Sequence, residues 1–105
     1  MDEKFMKLIA NKNGYEKTNM ECIEELSKLI QIICKDKKHR TINSYNSAII
    51  VPVNKENETG KLIVEKIADV EIILEQLKVL INCNDEVEKD KDVKLSKQLE
   101  NLGLK

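Results

Sequence analysis

Two clusters of charged side chains lie within segments that also carry regularly spaced apolar residues. One cluster contains Glu25 and Lys28, and the other contains Lys66 and Asp69. Residues three or four positions apart lie on the same face of a helix, so each cluster would project its two charges in one direction. Two antiparallel helices could bring the four side chains together, where the lysines would pair with the carboxylates or face a phosphate directly.

A simpler interpretation of both clusters is a charged helix face in contact with water. This interpretation explains Glu25 and Lys28 as well as a binding site does. It explains Asp69 less well, because the residues around Asp69 in the sequence are nearly all aliphatic. An ionised carboxylate in apolar surroundings needs a partner, so we expect Asp69 to be paired.

The composition indicates a small all-α domain. The 105 residues suffice for one domain with a modest core, and 41% of them are hydrophobic while only 3% are aromatic. Leucine and isoleucine dominate, which favours aliphatic helices over a β-sandwich. We expect a single domain over residues 1–105, a helical bundle with two long central helices and shorter terminal helices.

Apolar spacing and helix-stopping residues divide the chain into elements. Serine, threonine, asparagine and glycine collect in its middle part, where we expect a long loop. The predicted elements are a short helix that ends at Asn13-Gly14, a long helix at about 16–38, the loop at about 39–60 with a β-prone run at 48–53, a central helix at 62–81, and a last helix capped by Asn84 that runs to Gly103.

The long helices carry more apolar residues than a chain of this size can bury. On the central helix, apolar residues occupy most of the circumference. A helix buried on several faces needs more partners than one protomer offers, so we expect a homodimer or a higher homo-oligomer. On the first long helix, the stripe expected to mark the buried face consists of Met20, Ile23, Leu26, Ile30 and Ile33.

Charge and cysteine content argue against several functions. The 18 basic and 19 acidic side chains leave a net charge of -1, so neither nucleic acid nor a membrane is an expected partner. The three cysteines are far apart and do not form a zinc pattern with the single histidine, so we expect buried free thiols. With no apolar run of about 18 residues and no signal-peptide pattern, we expect a soluble, cytoplasmic protein.

The most specific motif of the chain is EKIADVEIILEQL at 65–77. It is accompanied by GYEK at 14–17, IEE at 23–25, LIQ at 29–31, KL at 94–95 and Leu99. Together these segments resemble the MazG-like family of all-α nucleoside triphosphate pyrophosphohydrolases over most of the chain. The resemblance implies a dimeric helical bundle in which an EExxE segment and a later ExxD segment bind magnesium. The metal holds the triphosphate while water attacks it, which releases a nucleoside monophosphate and pyrophosphate.

Carried over residue by residue, the four metal-ligand positions of the family fall on Glu25, Lys28, Lys66 and Asp69. Two of them are lysines here, and an ammonium group cannot act as an oxygen ligand to magnesium. We therefore expect no bound metal and no cofactor. The resemblance adds three candidate ligand-binding residues: Thr18, where the family often has glutamine, and Lys94 and Lys97, where it has basic residues.

An alternative register brings together Glu21, Glu25, Glu65 and Asp69, which pair at i, i+4 spacing. These four acids could rebuild a magnesium site. In this alternative the acids face the site in a way that conflicts with the apolar stripe of the first long helix, which we expect to fix the buried face. We therefore prefer the register that contains the lysines.

The leading functional hypothesis is a MazG-like protein that binds or sequesters a nucleotide or a nucleotide-derived signal without efficient hydrolysis. Two alternatives stay open. One is an active magnesium-dependent pyrophosphohydrolase that uses the shifted acidic set. The other is a structural, protein-binding helical dimer whose site is vestigial.

Overall fold

The computed structural model describes residues 2–40 and 58–104, and for residues 37–40 it describes the backbone alone. Over these two ranges the chain is helical and contains no strand, so the all-α prediction is confirmed. The four helices are α1 (Glu3–Asn13), α2 (Tyr15–Arg40), α3 (Glu58–Ile81) and α4 (Asn84–Asn101).

The helix boundaries lie within a few residues of the predicted ones. Arg40 and Glu58 are both helical, so the predicted loop at 39–60 is too long at each end. The β-prone run at 48–53 lies outside the described residues. α4 begins near the predicted place, but its N-cap is Cys83 rather than Asn84, and no side chain caps the helix there.

Local hydrogen bonds define both ends of α1. The Asp2 Oδ1 atom accepts a hydrogen bond from the Lys4 backbone N–H at 2.9 Å, which satisfies one of the free donors of the first turn. At the other end, Gly14 adopts a φ of +83° and donates its N–H to the Ala10 carbonyl at 2.9 Å. The predicted stop at Asn13-Gly14 is confirmed.

α3 is the central helix, as the sequence predicts. α2 packs along it, and α1 packs mainly against α3 and to a smaller extent against α2. The buried aliphatic residues at their junction include Ala10 of α1, Ile32 of α2, and Val70 and Ile73 of α3. This junction is the core that positions the charged residues of α2 and α3.

The apolar stripe that was expected to mark the buried face of α2 is exposed in the single chain. Ile23 and Ile30 are in contact with solvent, whereas Thr18, Cys22 and Ile32 are buried. The prediction was wrong because apolar residues cover two adjacent faces of α2. Helical spacing alone does not tell which of the two faces meets α3.

The terminal helices also leave apolar side chains exposed. In α1, Met6 and Ala10 are buried whereas Phe5 is not. α4 buries no side chain, and its Leu95 and Leu99 are exposed. Much of the apolar surface of a single chain is therefore in contact with water. None of the helices in the described ranges is long and apolar enough to span a bilayer.

The three cysteines are free thiols, as predicted, but they are not all buried. Cys22 lies in the core. Cys34 is exposed and Cys83 is half-buried, so the expectation of burial was wrong for these two. Cys34 lies on the same side of α2 as the exposed Ile23 and Ile30, which no other described helix covers.

Candidate functional site

The four charged side chains singled out from the sequence form a chain of ion pairs between α2 and α3. The Lys66 Nζ atom lies 3.2 Å from Asp69 Oδ2 and 3.5 Å from Glu25 Oε2. The Lys28 Nζ atom lies 3.6 Å from the other carboxylate oxygen of Glu25. The juxtaposition expected from the helical spacing is therefore observed. We term these four residues the charged quartet.

Asp69 has a partner, as expected, although its side chain is 46% exposed and its surroundings are therefore less apolar than the sequence indicates. Its carboxylate accepts a hydrogen bond from the Lys66 ammonium group, one helical turn earlier on α3. Because Lys66 also reaches Glu25 on α2, it links the two helices electrostatically. Lys66 and Glu25 each expose only 22% of the side chain, so solvent screens their pair less than it screens a surface pair.

Glu25 holds the most deeply placed carboxylate atom of the quartet. Its Oε2 atom is buried and accepts no hydrogen bond within the described residues, although the Lys66 ammonium group provides a counter-charge. A buried oxygen with an unused acceptor position is energetically costly. A hydrogen-bond donor on a ligand could satisfy it.

Lys28 is the more exposed of the two lysines. It lies 3.0 Å from Glu24 as well as near Glu25. The hydrogen bond and the charge attraction from Glu24, with a smaller attraction from Glu25, raise the pKa of the Lys28 ammonium group above its ordinary value. Lys28 therefore keeps its positive charge throughout the neutral pH range.

A cavity of about 280 Å³ opens beside the quartet. This volume lies slightly below the range for small-molecule pockets, about 300–1,000 Å³. All three helices of the core contribute to its walls, so α1 closes one side of the site. The lining residues are Asn13 of α1, Glu21 and Glu25 of α2, and Asp69, Ile72, Ile73 and Gln76 of α3.

Gln76 is a site residue that sequence reasoning missed. It lines the cavity with only 5% of its surface exposed. An amide offers both donors and an acceptor, so Gln76 could contact a nucleobase edge or a sugar hydroxyl. The sequence did contain a signal for this residue, because Gln76 is a polar residue at a core position of an aliphatic helix, within ILEQL at 73–77.

The alternative acidic set is assembled only in part. Glu21, Glu25 and Asp69 line one cavity, whereas Glu65 is exposed and does not line it. Among the described residues, no group of three or more acidic, histidine or cysteine side chains is arranged to hold a metal ion. Between Glu25 and Asp69 lies an ammonium group, that of Lys66.

The wider site is acidic, although the quartet alone is neutral. Glu24 pairs with Lys28, and Glu21 lines the cavity, so four carboxylates accompany two ammonium groups and the local formal charge is -2. A negative local potential repels a highly charged anion. The site therefore favours a ligand that donates hydrogen bonds and carries few negative charges.

Thr18, a candidate from the resemblance, is completely buried, and its Oγ1 atom has no hydrogen-bond partner within the described residues. It does not line the cavity. A buried hydroxyl group without a partner costs about 1–3 kcal/mol. The ligand role of Thr18 stays a prediction. Whether its hydroxyl group is truly without a partner can be tested by removing it and measuring the free energy of unfolding.

We expect Thr18→Val to raise the free energy of unfolding by about 1 kcal/mol, because valine keeps the shape of threonine and removes the unpaired hydroxyl group. For a domain of this size, the melting temperature should rise by about 4–8 °C. Circular dichroism during thermal unfolding measures the change. Thr59→Val, near the start of α3 where the side chain is partly exposed, is the control and should change little. A destabilised Thr18→Val variant would mean that the hydroxyl group has a partner.

The structure does not bring Lys94 and Lys97 to the quartet within a single chain. Both lie on α4, which buries no side chain against the other helices. Lys94 instead pairs with Asp90 at 2.8 Å, and this hydrogen bond raises the pKa of the Lys94 ammonium group. A ligand role for these two lysines would require α4 to approach the site of another copy.

No protein-family model, curated protein or solved structure shows a significant match to this chain. The resemblance to MazG-like proteins therefore rests on the sequence segments given above. The activity and the ligand that this resemblance implies stay predictions.

Proposed function

We propose that this chain is a MazG-like protein that binds a nucleotide or a nucleotide-derived signal between α2 and α3 and does not hydrolyse it efficiently. The observation that carries the proposal is the position of Lys66, whose ammonium group lies between Glu25 and Asp69. In the enzymes that the chain resembles, this position supplies a carboxylate to magnesium. In this chain it supplies a positive charge.

An ammonium group between two carboxylates opposes magnesium binding in two ways. It repels the metal ion, and it pairs with the oxygen atoms that the ion would need as ligands. Lys28 has the same effect on the other oxygen of Glu25. Without a metal ion to neutralise the phosphates and activate water, cleavage of a triphosphate has little support from these side chains. Binding without a cofactor is the activity that the residues favour.

The cavity beside the quartet suits the nucleoside part of such a ligand. The amides of Asn13 and Gln76 offer donors and acceptors, while Ile72 and Ile73 offer apolar contact. Lys28 does not line the cavity, but a phosphate group that extends past Glu25 could reach its exposed ammonium group, which lies 3.6 Å from that carboxylate. Because the local formal charge is -2, a phosphodiester with one charge per phosphate fits this site better than a triphosphate does.

Ligand binding in the presence of a chelator tests the proposal. Isothermal titration with nucleoside monophosphates, triphosphates and cyclic dinucleotides should give the same affinity with EDTA as with magnesium, to within about twofold. Gln76→Leu keeps the size of the side chain and should weaken binding about tenfold, because the amide hydrogen bonds are lost. Lys91→Gln on α4 is the control, since its ion pair with Glu88 is exposed. Binding that requires magnesium would contradict the proposal.

A working pyrophosphohydrolase is the second candidate, because Glu21, Glu25 and Asp69 line the same cavity. In this alternative Lys66 moves away from the carboxylates, and Glu65 joins them to hold magnesium. Pyrophosphate release from a panel of common and modified nucleotides separates the two candidates. No release with the protein in excess over nucleotide would exclude hydrolysis.

A structural, protein-binding helical oligomer is the third candidate, and the exposed apolar side chains of α2, α3 and α4 favour it. In this alternative the charged quartet is a vestigial site that only links two helices. A nucleotide that co-purifies with the protein in stoichiometric amount would contradict it. The predicted homodimer or higher homo-oligomer is compatible with all three candidates.

A further inference from the structure

The side chains that line the cavity accept hydrogen bonds more than they donate them. Glu21, Glu25 and Asp69 contribute carboxylates, and a carboxylate only accepts. The amides of Asn13 and Gln76 both donate and accept. The ammonium groups of the quartet stand behind the carboxylates, since neither lysine lines the cavity. A ligand that fills the cavity therefore has to present an edge that is rich in hydrogen-bond donors.

The polar residues lie at two ends of the cavity. Glu25 contacts Lys66, which places these two positions side by side. Glu21 lies one turn earlier on α2 but shares the cavity with Gln76, later on α3, so the two helices run antiparallel. Gln76 follows Asp69 by two helical turns, roughly 10 Å along the axis. One end of the cavity is thus the charged quartet. We term the other the distal end, which consists of Asn13, Glu21 and Gln76.

The glutamine distinguishes the distal end from an acidic surface in contact with water. Gln76 is only 5% exposed, yet it borders the cavity, so its amide is presented from within the core of the protein. A buried amide costs free energy unless its donors and its acceptor are bonded. A ligand edge that both accepts and donates supplies such bonds from the cavity.

The Watson–Crick edge of guanine is complementary to a carboxylate beside an amide. It presents the C6 carbonyl, the N1–H group and the C2 amino group in a row. The two oxygens of one carboxylate accept from the two adjacent donors, and such charge-assisted pairs are the strong hydrogen bonds. In adenine and cytosine the amino group instead lies next to a ring nitrogen that accepts. Uracil has a single N–H group between two carbonyls.

We propose that the distal end of the cavity binds a guanine base. The Glu21 carboxylate accepts from N1–H and from the C2 amino group, and the Gln76 amide donates to the C6 carbonyl. The isoleucines that line the cavity pack against the purine ring. The ribose then lies towards Asp69, and the phosphate extends past Glu25. This inference rests on the proposed function and adds the base that the site selects.

Isothermal titration of the full chain with 3′,5′-cyclic GMP and 3′,5′-cyclic IMP, in EDTA, tests the assignment on the unmodified protein. The two ligands differ only in the C2 amino group, and each carries one phosphodiester charge. Cyclic GMP should bind about tenfold more tightly, because the inosine analogue lacks one of the two donors to the carboxylate. Cyclic AMP and cyclic UMP should bind no more tightly than cyclic IMP.

Glu21→Gln tests the residue that reads the base, because it replaces one acceptor with a donor at nearly the same size. The preference for cyclic GMP over cyclic IMP should fall from about tenfold to about twofold or less. Cyclic XMP should bind the variant more tightly than it binds the wild type, since the new N–H group donates to the C2 carbonyl of xanthine. A purely structural role of Glu21 would change all four affinities alike. Glu71→Gln is the control, with the same change in charge at an exposed position of α3, and should keep the preference.

Failure of this inference is distinguishable from failure of the proposed function. If no cyclic nucleotide binds the wild type, the proposed function is contradicted and the base assignment falls with it. If the ligands bind but cyclic IMP binds as tightly as cyclic GMP, only the guanine assignment is wrong. A folded Glu21→Gln variant that keeps the full preference for cyclic GMP would overturn the role of Glu21. The comparison on the wild type decides the base assignment even if the variant unfolds.

Discussion

The double substitution Lys28→Glu and Lys66→Glu is expected to create a magnesium site in a protein for which we predict weak binding of the ion. Both lysines lie within 3.6 Å of the Glu25 carboxylate, so both new carboxylates would point at the same volume. Removing two ammonium groups also frees the oxygen atoms of Glu25 and Asp69 to act as ligands. We expect magnesium affinity to rise at least tenfold, which is about 1.4 kcal/mol.

Isothermal titration with magnesium measures this change, and thermal unfolding gives an independent check. Magnesium should raise the melting temperature of the double variant, because an ion bound only by the folded state stabilises that state. The control is Lys91→Glu with Lys94→Glu, which makes the same change in net charge on exposed residues of α4. Equal magnesium affinity in the two double variants would show that the effect is one of overall charge. It would mean that the four side chains of the quartet are not arranged as ligands to one magnesium ion.

Helical spacing was sufficient to predict the two pairs of side chains that make up the charged quartet. Glu25 with Lys28, and Lys66 with Asp69, are each three residues apart, and this separation places two side chains on one helix face whatever the tertiary structure. This spacing does not decide whether the two faces meet. That step was an expectation, because two antiparallel helices could bring the four side chains together and because the resemblance to the MazG-like family places all four at one site. The four helices were predictable for the same local reasons. Gly14, for example, ends α1 through a positive φ that glycine tolerates.

The choice of the buried face of α2 could not be predicted in the same way. The stripe that includes Ile23 and Ile30 is more hydrophobic than the face that contains Thr18, Cys22 and Glu25, yet the second face meets the rest of the chain. A hydrophobic pattern reports which residues avoid water, and it does not separate contacts within a chain from contacts between chains.

Gln76 was missed because tertiary packing gives it a role that its position in the sequence does not reveal. It belongs to an aliphatic stretch of α3, where a single glutamine is most simply explained as a break in the core pattern. Only the arrangement of α1 and α2 around it shows that its amide lines a cavity. Residues of this kind, polar and almost fully buried, are the part of a site that spacing rules do not identify.

Lys66→Ala is expected to destabilise the folded chain by about 1–3 kcal/mol, because it removes the counter-charge beside a buried carboxylate oxygen and leaves only Lys28 near the other oxygen of Glu25. The Glu25 Oε2 atom already lacks a hydrogen bond, and Lys66 supplies the neighbouring charge at 3.5 Å. Asp69 would lose its hydrogen bond at the same time. Urea unfolding followed by circular dichroism measures the loss in free energy.

Lys91→Ala is the matched control, because the Lys91 ammonium group also pairs with a carboxylate three residues away, at the same 3.2 Å, but on an exposed surface. It should change the free energy of unfolding by less than about 0.5 kcal/mol. Adding Glu25→Gln to Lys66→Ala should recover part of the lost stability, since a neutral amide is easier to bury than an unpaired carboxylate. If Lys66→Ala and Lys91→Ala cost the same, the Lys66 ammonium group does not hold α2 and α3 together, and a ligand could displace it from Glu25 at little cost.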